Sequence, residues 1–262
     1  MALIHCNFFS DALGKCCGIN VIIPQQARRQ IGMTSQGGKS IYPVLYLLHG
    51  LSDDYTIWQR RTSIERYAAA YNLVIVMPDG GRSFYTDMKA GGKYWTFLSE
   101  ELPQLVCDFF PVSAKREDTF AAGLSMGGYG ALKLGLRRPD RFAAAAALSA
   151  VTDINFFLTR MRSQPETAAE ADWYFGPVDQ APAEENLFDL AAATAKLPKK
   201  QRPKLFQCCG TEDFLYQDNL KFRDHIEKLG AYSYQYSECP GAHTWEFWDE
   251  HIQRILKWLP LR

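Results

Sequence analysis

Three side chains that can turn a hydroxyl into a nucleophile occur in this chain in a usable order. Ser125 sits in Gly123-Leu124-Ser125-Met126-Gly127, with the apolar run Phe120–Ala122 before it. Tyr129, Leu132, Leu134 and Leu136 follow with the character of a helix. This pattern predicts a strand, a very tight turn and a helix, with the serine at the turn. So sharp a turn holds its central residue in a strained backbone conformation. It also brings together the positions two before and two after the serine, where glycine fits and larger residues do not. The hydroxyl then stands above a helix N-terminus whose free N–H groups can meet a negative charge.

A serine hydroxyl attacks only when a base takes its proton, and that base is a histidine oriented by a carboxylate. In this setting the chain order is serine, acid, histidine. Of five histidines, His5 and His49 precede the serine, and His225 and His251 lie in helical stretches. His243 follows a predicted strand on a loop and is the expected base. For the acid, Asp213 follows the predicted strand Lys204–Cys209. Glu212 beside it and Asp153 after the preceding strand are the rivals. Asp213 is favoured, and a plain helix-capping role stays open for it. Charge developing on the former carbonyl oxygen calls for two backbone donors. Met126 N–H, just after the nucleophile, and Leu51 N–H, in His49-Gly50-Leu51, are the expected pair. His49 itself reads as a turn-stabilising side chain.

These residues need a scaffold that delivers them to one end. The chain predicts strands around His5–Ser10, Cys16–Ile23, Val44–Leu48, Leu73–Met77, Thr119–Leu124, Phe142–Leu148, Lys204–Cys209 and Tyr232–Ser237. Helical stretches fall around Ser63–Tyr71, Ser99–Phe110, Leu220–Leu229 and Trp245–Trp258. A polar loop spans Thr34–Ser40, and an aromatic-rich loop spans Arg82–Trp95. Alternating strands and helices, with buried runs that do not alternate in polarity, predict an α/β protein. Its sheet is mostly parallel, covered on both faces, with the first two strands as an antiparallel edge. Ligands on such sheets bind at the carboxyl ends of the strands, where every candidate above falls. The segment 151–203 carries five prolines and only short helical pieces. It reads as a cap inserted over the site of a single 1–262 domain.

Composition limits what else the chain can be. Its 262 residues are 47% hydrophobic and 22% charged, which is ordinary for a globular protein. Lys+Arg and Asp+Glu are both 29, so no basic surface points to nucleic acid or a charged membrane. The longest apolar run, about Phe142–Val151, is far short of the roughly 20 residues that cross a bilayer. The N-terminus lacks the form of a signal peptide, and a cytoplasmic location is the expectation. Seven cysteines show no metal-binding spacing and read as reduced thiols. Self-association is compatible with the neutral charge and the aromatic cap.

The stretches Pro43–Gly50, Val76–Asp79, Phe84–Asp87, Glu100–Pro103, Ala122–Gly130, Cys209–Tyr216 and Gly241–Trp248, with Trp58, carry a resemblance along nearly the whole chain. It resembles the bacterial tributyrin esterases, in the esterase D and S-formylglutathione hydrolase branch of the α/β-hydrolases. The resemblance implies an α/β-hydrolase fold and a serine carboxylesterase acting on short acyl chains of a small-molecule ester, without metal or organic cofactor. It carries the nucleophile onto Ser125, the acid onto Asp213 and the base onto His243. Trp58, Tyr85 and Trp95 resemble positions near the pocket and are the expected substrate contacts. An S-formylglutathione thioesterase and an esterase of sugar-linked acetyl or feruloyl groups would use the same residues. A non-catalytic binding protein would not need all three at separate strand ends.

Overall fold

The structure is a computed structural model that describes residues 1–27, 29, 31, 32 and 37–261. The loop expected over Thr34–Ser40 lies partly outside the described residues. Eight strands form one sheet: β1 (Ala2–Ser10), β2 (Lys15–Ile23), β3 (Val44–Leu48), β4 (Val74–Pro78), β5 (Thr119–Leu124), β6 (Ala144–Leu148), β7 (Lys204–Gly210) and β8 (Tyr234–Cys239). Their order is β1-β2-β4-β3-β5-β6-β7-β8. β1 pairs antiparallel with β2, and β2 antiparallel with β4, while β3 to β8 run parallel. The mostly parallel sheet with an antiparallel edge is the one the sequence predicts.

Burial explains the strand compositions. Every residue of β3, β4, β5 and β6 is buried, because helices cover both faces. Odd and even positions serve two different cores. Val44, Tyr46 and Leu48 face the layer that contains the helices Leu102–Phe109, Met126–Arg137 and Tyr216–Leu229. Leu45 and Leu47 face the layer of Ile57–Arg61, Ile64–Ala68 and Trp245–Trp258. Each large apolar side chain so covered contributes about 1.5–3 kcal/mol by leaving water. In β6 the side chains shrink to Ala144–Ala147, and the helix Met126–Arg137, the elbow helix that follows the tight turn at Ser125, comes close enough that a Cβ on Gly135 would meet Ala145 Cβ at 2.7 Å.

One expected helix starts earlier than its periodicity suggests. The chain turns helical at Tyr94, widens into a π turn over Phe97–Glu101 and continues as Leu102–Phe109. Pro103 supplies the reason. It has no N–H for the Ser99 carbonyl, and its ring crowds that carbonyl in a regular helix. The freed Ser99 oxygen accepts instead from Arg138 at 3.3 Å and Arg141 at 3.5 Å. The segment 151–203 holds three helices, Ile154–Arg162, Ala168–Phe175 and Leu187–Thr194, joined by turns. Among the described residues no helix is long and apolar enough to cross a membrane.

Candidate active site

Ser125 has φ 54° and ψ −118°, a conformation that costs on the order of 1–3 kcal/mol and needs rigid surroundings. The surroundings are glycines pressed against backbone. A Cβ on Gly123 would lie 2.4 Å from Gly127 O, and one on Gly127 would lie 2.4 Å from Leu48 O. Ser125 N–H donates to Leu148 O at 2.9 Å, and Ser125 O accepts from Tyr129 and Val151 N–H. The serine is thereby fixed between the ends of β3 and β6.

The loop after β3 lies directly against it. A Cβ on Gly50 would meet Leu124 Cδ1 at 2.8 Å and Ser125 Cβ at 3.8 Å. His49 fixes this loop. Its Nδ1 donates to Gly50 O at 2.7 Å, and its Nε2 accepts from Gly80 N–H at 2.8 Å. Those two bonds tie the loop after β3 to the loop after β4. Among the described residues neither Leu51 N–H nor Met126 N–H is given to another protein group. Both residues line the cavity beside Ser125.

Asp213 and His243 arrive on neighbouring strand ends. A Cβ on Gly210 would collide with Gly241 O at 2.1 Å, so the two loops touch backbone to backbone. Thr211 N–H donates to Cys239 O and Glu212 N–H to Gly241 O. The Asp213 side chain is fully buried. Its Oδ2 accepts from His243 Nδ1 at 2.8 Å and its Oδ1 accepts from Leu215 N–H at 2.9 Å. The helix-start role and the histidine contact thus fall on one carboxylate. Asp153 is used elsewhere, capping Phe156 N–H at 3.0 Å, and Glu212 is exposed. The His243 ring stands between Phe214, with centroids 4.6 Å apart, and Trp248, edge-on at 4.8 Å. Trp248 is held by Nε1–H donation to Ser149 Oγ at 3.1 Å.

Ser125 and His243 open into one cavity of about 440 Å³. Val151, Phe157, Phe214, Trp245 and Trp248 give it apolar walls, while Ser52, Asp53 and Arg82 bring polar groups. Trp58, Tyr85 and Trp95 are not on these walls, which corrects the sequence expectation. Trp58 is buried behind the wall, donating to Leu48 O at 2.9 Å and packing edge-on against Trp245. Tyr85 is turned inward by left-handed backbone at Phe84 and Tyr85, and its hydroxyl donates to His49 O at 2.9 Å. Trp95 is caged by Lys133 and Arg137, 4.9 and 4.5 Å from its ring centre. Three of the wall aromatics that the sequence reading missed lie close to residues it had chosen. Phe214 follows Asp213, and Trp245 and Trp248 open the helix after His243.

A parallel sheet of this order with a serine at its elbow and an aspartate–histidine pair over the same cavity is an α/β-hydrolase, of the serine hydrolase kind. Comparison with known proteins narrows the class. The chain belongs to the family described as "Putative esterase", which it matches over residues 10–259, and it is a carboxylic-ester hydrolase. It is 31% identical to an acetyl esterase of Caldicellulosiruptor saccharolyticus over 99% of this chain and 98% of that protein. The fluorophosphonate-binding serine hydrolase FphF of Staphylococcus aureus superposes with a TM-score of 0.86 at 36% identity, covering 98% of both chains. The S-formylglutathione hydrolase FrmB of Staphylococcus aureus gives 0.82 at 36% identity, again over 98% of both.

Proposed function

We propose that this protein is a serine carboxylesterase for short-chain acyl esters, tributyrin-like in preference, working through Ser125, His243 and Asp213. The observation that carries the reading is the 2.8 Å contact of Asp213 with His243 Nδ1, over a cavity shared with the strained Ser125. Asp213 holds the proton on Nδ1, which leaves Nε2 free to act as base. Ser125 Oγ attacks the ester carbonyl as His243 takes its proton. Leu51 and Met126 N–H receive the oxyanion. The C–O bond to the alcohol breaks, and His243 returns the proton to the leaving oxygen. Water, deprotonated by the same histidine, then releases the acid from Ser125. The apolar walls suit a short acyl chain, and the segment 151–203 acts as a cap that supplies Phe157 to them.

The test is hydrolysis of p-nitrophenyl esters from acetate to octanoate by the wild type and Ser125→Ala. The expected result is a short-chain optimum that the variant abolishes. Activity retained by the variant would remove Ser125 from the mechanism. Acid should also silence the enzyme, because only neutral imidazole accepts the serine proton. A rate that does not fall in acid would contradict the assignment of His243 as the base. A second reading, thioester hydrolysis of S-formylglutathione, is favoured by the 36% identity to FrmB. It is separated by comparing S-formylglutathione with butyrate esters.

A further inference from the structure

Behind the cavity lies a pair of buried amides that the proposed mechanism does not use. Gln207 in β7 and Asn219 in the helix Tyr216–Leu229 are fully buried, and neither lines the cavity. Gln207 Nε2 donates to Asn219 O and to Asn219 Oδ1, each at 2.9 Å, and Gln207 Oε1 accepts from the Tyr234 hydroxyl at 2.6 Å. Asn219 Nδ2 donates to Ala150 O and to Leu215 O, each at 2.9 Å. These bonds fix which way the Asn219 amide faces, because its oxygen in place of its nitrogen would confront two carbonyl oxygens. Amides so paired and so buried hold one geometry, since a bond lost there is not replaced by water.

The two carbonyls that Asn219 reaches belong to different arms of the site. Leu215 N–H donates to Asp213 Oδ1, so holding Leu215 holds the carboxylate that meets His243. Ala150 lies in the loop after β6. Its neighbour Ser149 takes a left-handed φ of 46° and accepts from Trp248, which stands edge-on to His243. Its other neighbour, Val151, donates to Ser125 O at 3.2 Å. A turn strained in this way keeps its shape only where its surroundings hold it. Thr152 adds a parallel tie, its Oγ1 donating to Asp218 O at 2.8 Å. The Asn219 side chain is thus a point where the supports of Ser125, Asp213 and His243 meet.

We propose that Asn219 is a positioning residue for the reaction. It holds the Asp213 turn against the loop after β6 and so keeps His243 in register with Ser125. The proposal rests on the serine carboxylesterase reading. Asn219 acts through Leu215 and Ala150 and does not reach the cavity, so its loss slows chemistry without weakening substrate binding.

The experiment measures kcat and KM for p-nitrophenyl butyrate in wild type, Asn219→Leu and Tyr234→Phe, with folding checked by circular dichroism and thermal melting. Asn219→Leu nearly keeps the side-chain shape and removes the donors. Its kcat should fall roughly 100-fold, the scale of a misplacement of about 1 Å, with KM within about two-fold of wild type. Tyr234→Phe damages the same network at its far end, where neither loop is touched. It should lower the thermal midpoint and leave kcat within about two-fold. The far-downfield NMR line of His243 Nδ1–H, assigned by its loss in His243→Ala, should shift or vanish in Asn219→Leu and persist in Tyr234→Phe. A folded Asn219→Leu that loses no more activity than Tyr234→Phe would overturn the proposal, and so would a loss confined to KM. If Asn219→Leu does not fold, Thr152→Val cuts the parallel tie in its place: kcat should then fall several-fold, and an unchanged kcat would overturn the proposal. If Ser125→Ala still cleaves p-nitrophenyl butyrate, it is the underlying esterase mechanism that fails, while the NMR line still reports whether Asn219 seats Asp213 against His243.

Discussion

The floor of the cavity and the segment 151–203, which gives Val151 and Phe157 to its wall, are held by different means. On the floor, backbone meets backbone: Gly123 on Gly127, Gly127 on Leu48, Gly210 on Gly241. Above it, the segment 151–203 is fastened mainly by side chains. Lys133 and Arg137 of the elbow helix reach Glu185 at 2.6 and 2.8 Å, and Tyr129 donates to Glu185 O at 2.7 Å. Arg82 grips Glu170. Only a few backbone bonds, such as Lys89 N–H to Tyr174 O, join the cover to the loop below. The floor is therefore held largely by main-chain contacts, and the segment 151–203 mainly by side chains.

Substitutions should separate these two regimes. The largest effect belongs to Ser125→Ala on the floor, with kcat down by roughly 10⁴- to 10⁶-fold and little change in thermal midpoint. Asp213→Asn should cost about 10⁴-fold, since the wrong ring nitrogen of His243 would then carry the proton. Folding should be kept, as shown by circular dichroism. Glu185→Ala strikes the cover's anchor and should act on stability. Lys133 is fully buried, and burial already pulls its pKa down against the opposing pull of Glu185. Removing the partner strands that charge, at about 3–5 kcal/mol in denaturant unfolding. The double change Lys133→Met, Glu185→Leu should recover most of it. Recovery of nothing would assign the loss to packing of the turn.

The smallest effect is expected at the exposed clasp. Glu170→Gln should change unfolding free energy by at most about 1 kcal/mol, while shifting KM a few-fold in a salt-dependent way. Burial raises the Glu170 carboxyl, but the Arg82 guanidinium and Tyr174 hydroxyl outweigh it and bring it below the usual glutamate range. A carboxyl with a lower pKa folded than unfolded adds stability above its unfolded value and loses it as pH falls through the folded one. The clasp thus survives mild acid. Loss of activity in mild acid, with KM for the ester unchanged, would then report His243 and not the cover. A rise in KM over the same range would blur the distinction drawn here.

The same division governs what the sequence reveals. The placement of Ser125, Asp213 and His243 at one end of the sheet is legible because each follows a predicted strand, near a glycine that a close backbone approach requires. The sheet is legible because β3 to β6 are buried on both faces and read as unbroken apolar runs. Trp58, Tyr85 and Trp95 misled because a buried aromatic and a wall aromatic look alike in one dimension. Only the left-handed turn at Phe84–Tyr85 and the cage of Lys133 and Arg137 show which they are. The anchor itself was invisible: Glu185 and Lys133 are 52 residues apart, and a charged pair leaves no periodicity.

The paired glycines of the floor also divide the chain's freedom to drift. At Gly210 or Gly127 the obstacle to a side chain is another stretch of main chain, so no substitution in the partner can make room. Such positions accept one residue or the loop moves. At Glu185 the contacts of Lys133 and Arg137 are made by side chains, so a second change can answer the first, as the pair Lys133→Met, Glu185→Leu is expected to do. Divergence is expected to follow that difference: the glycine contacts of the floor resist change, while paired side-chain contacts such as Lys133 with Glu185 can change together.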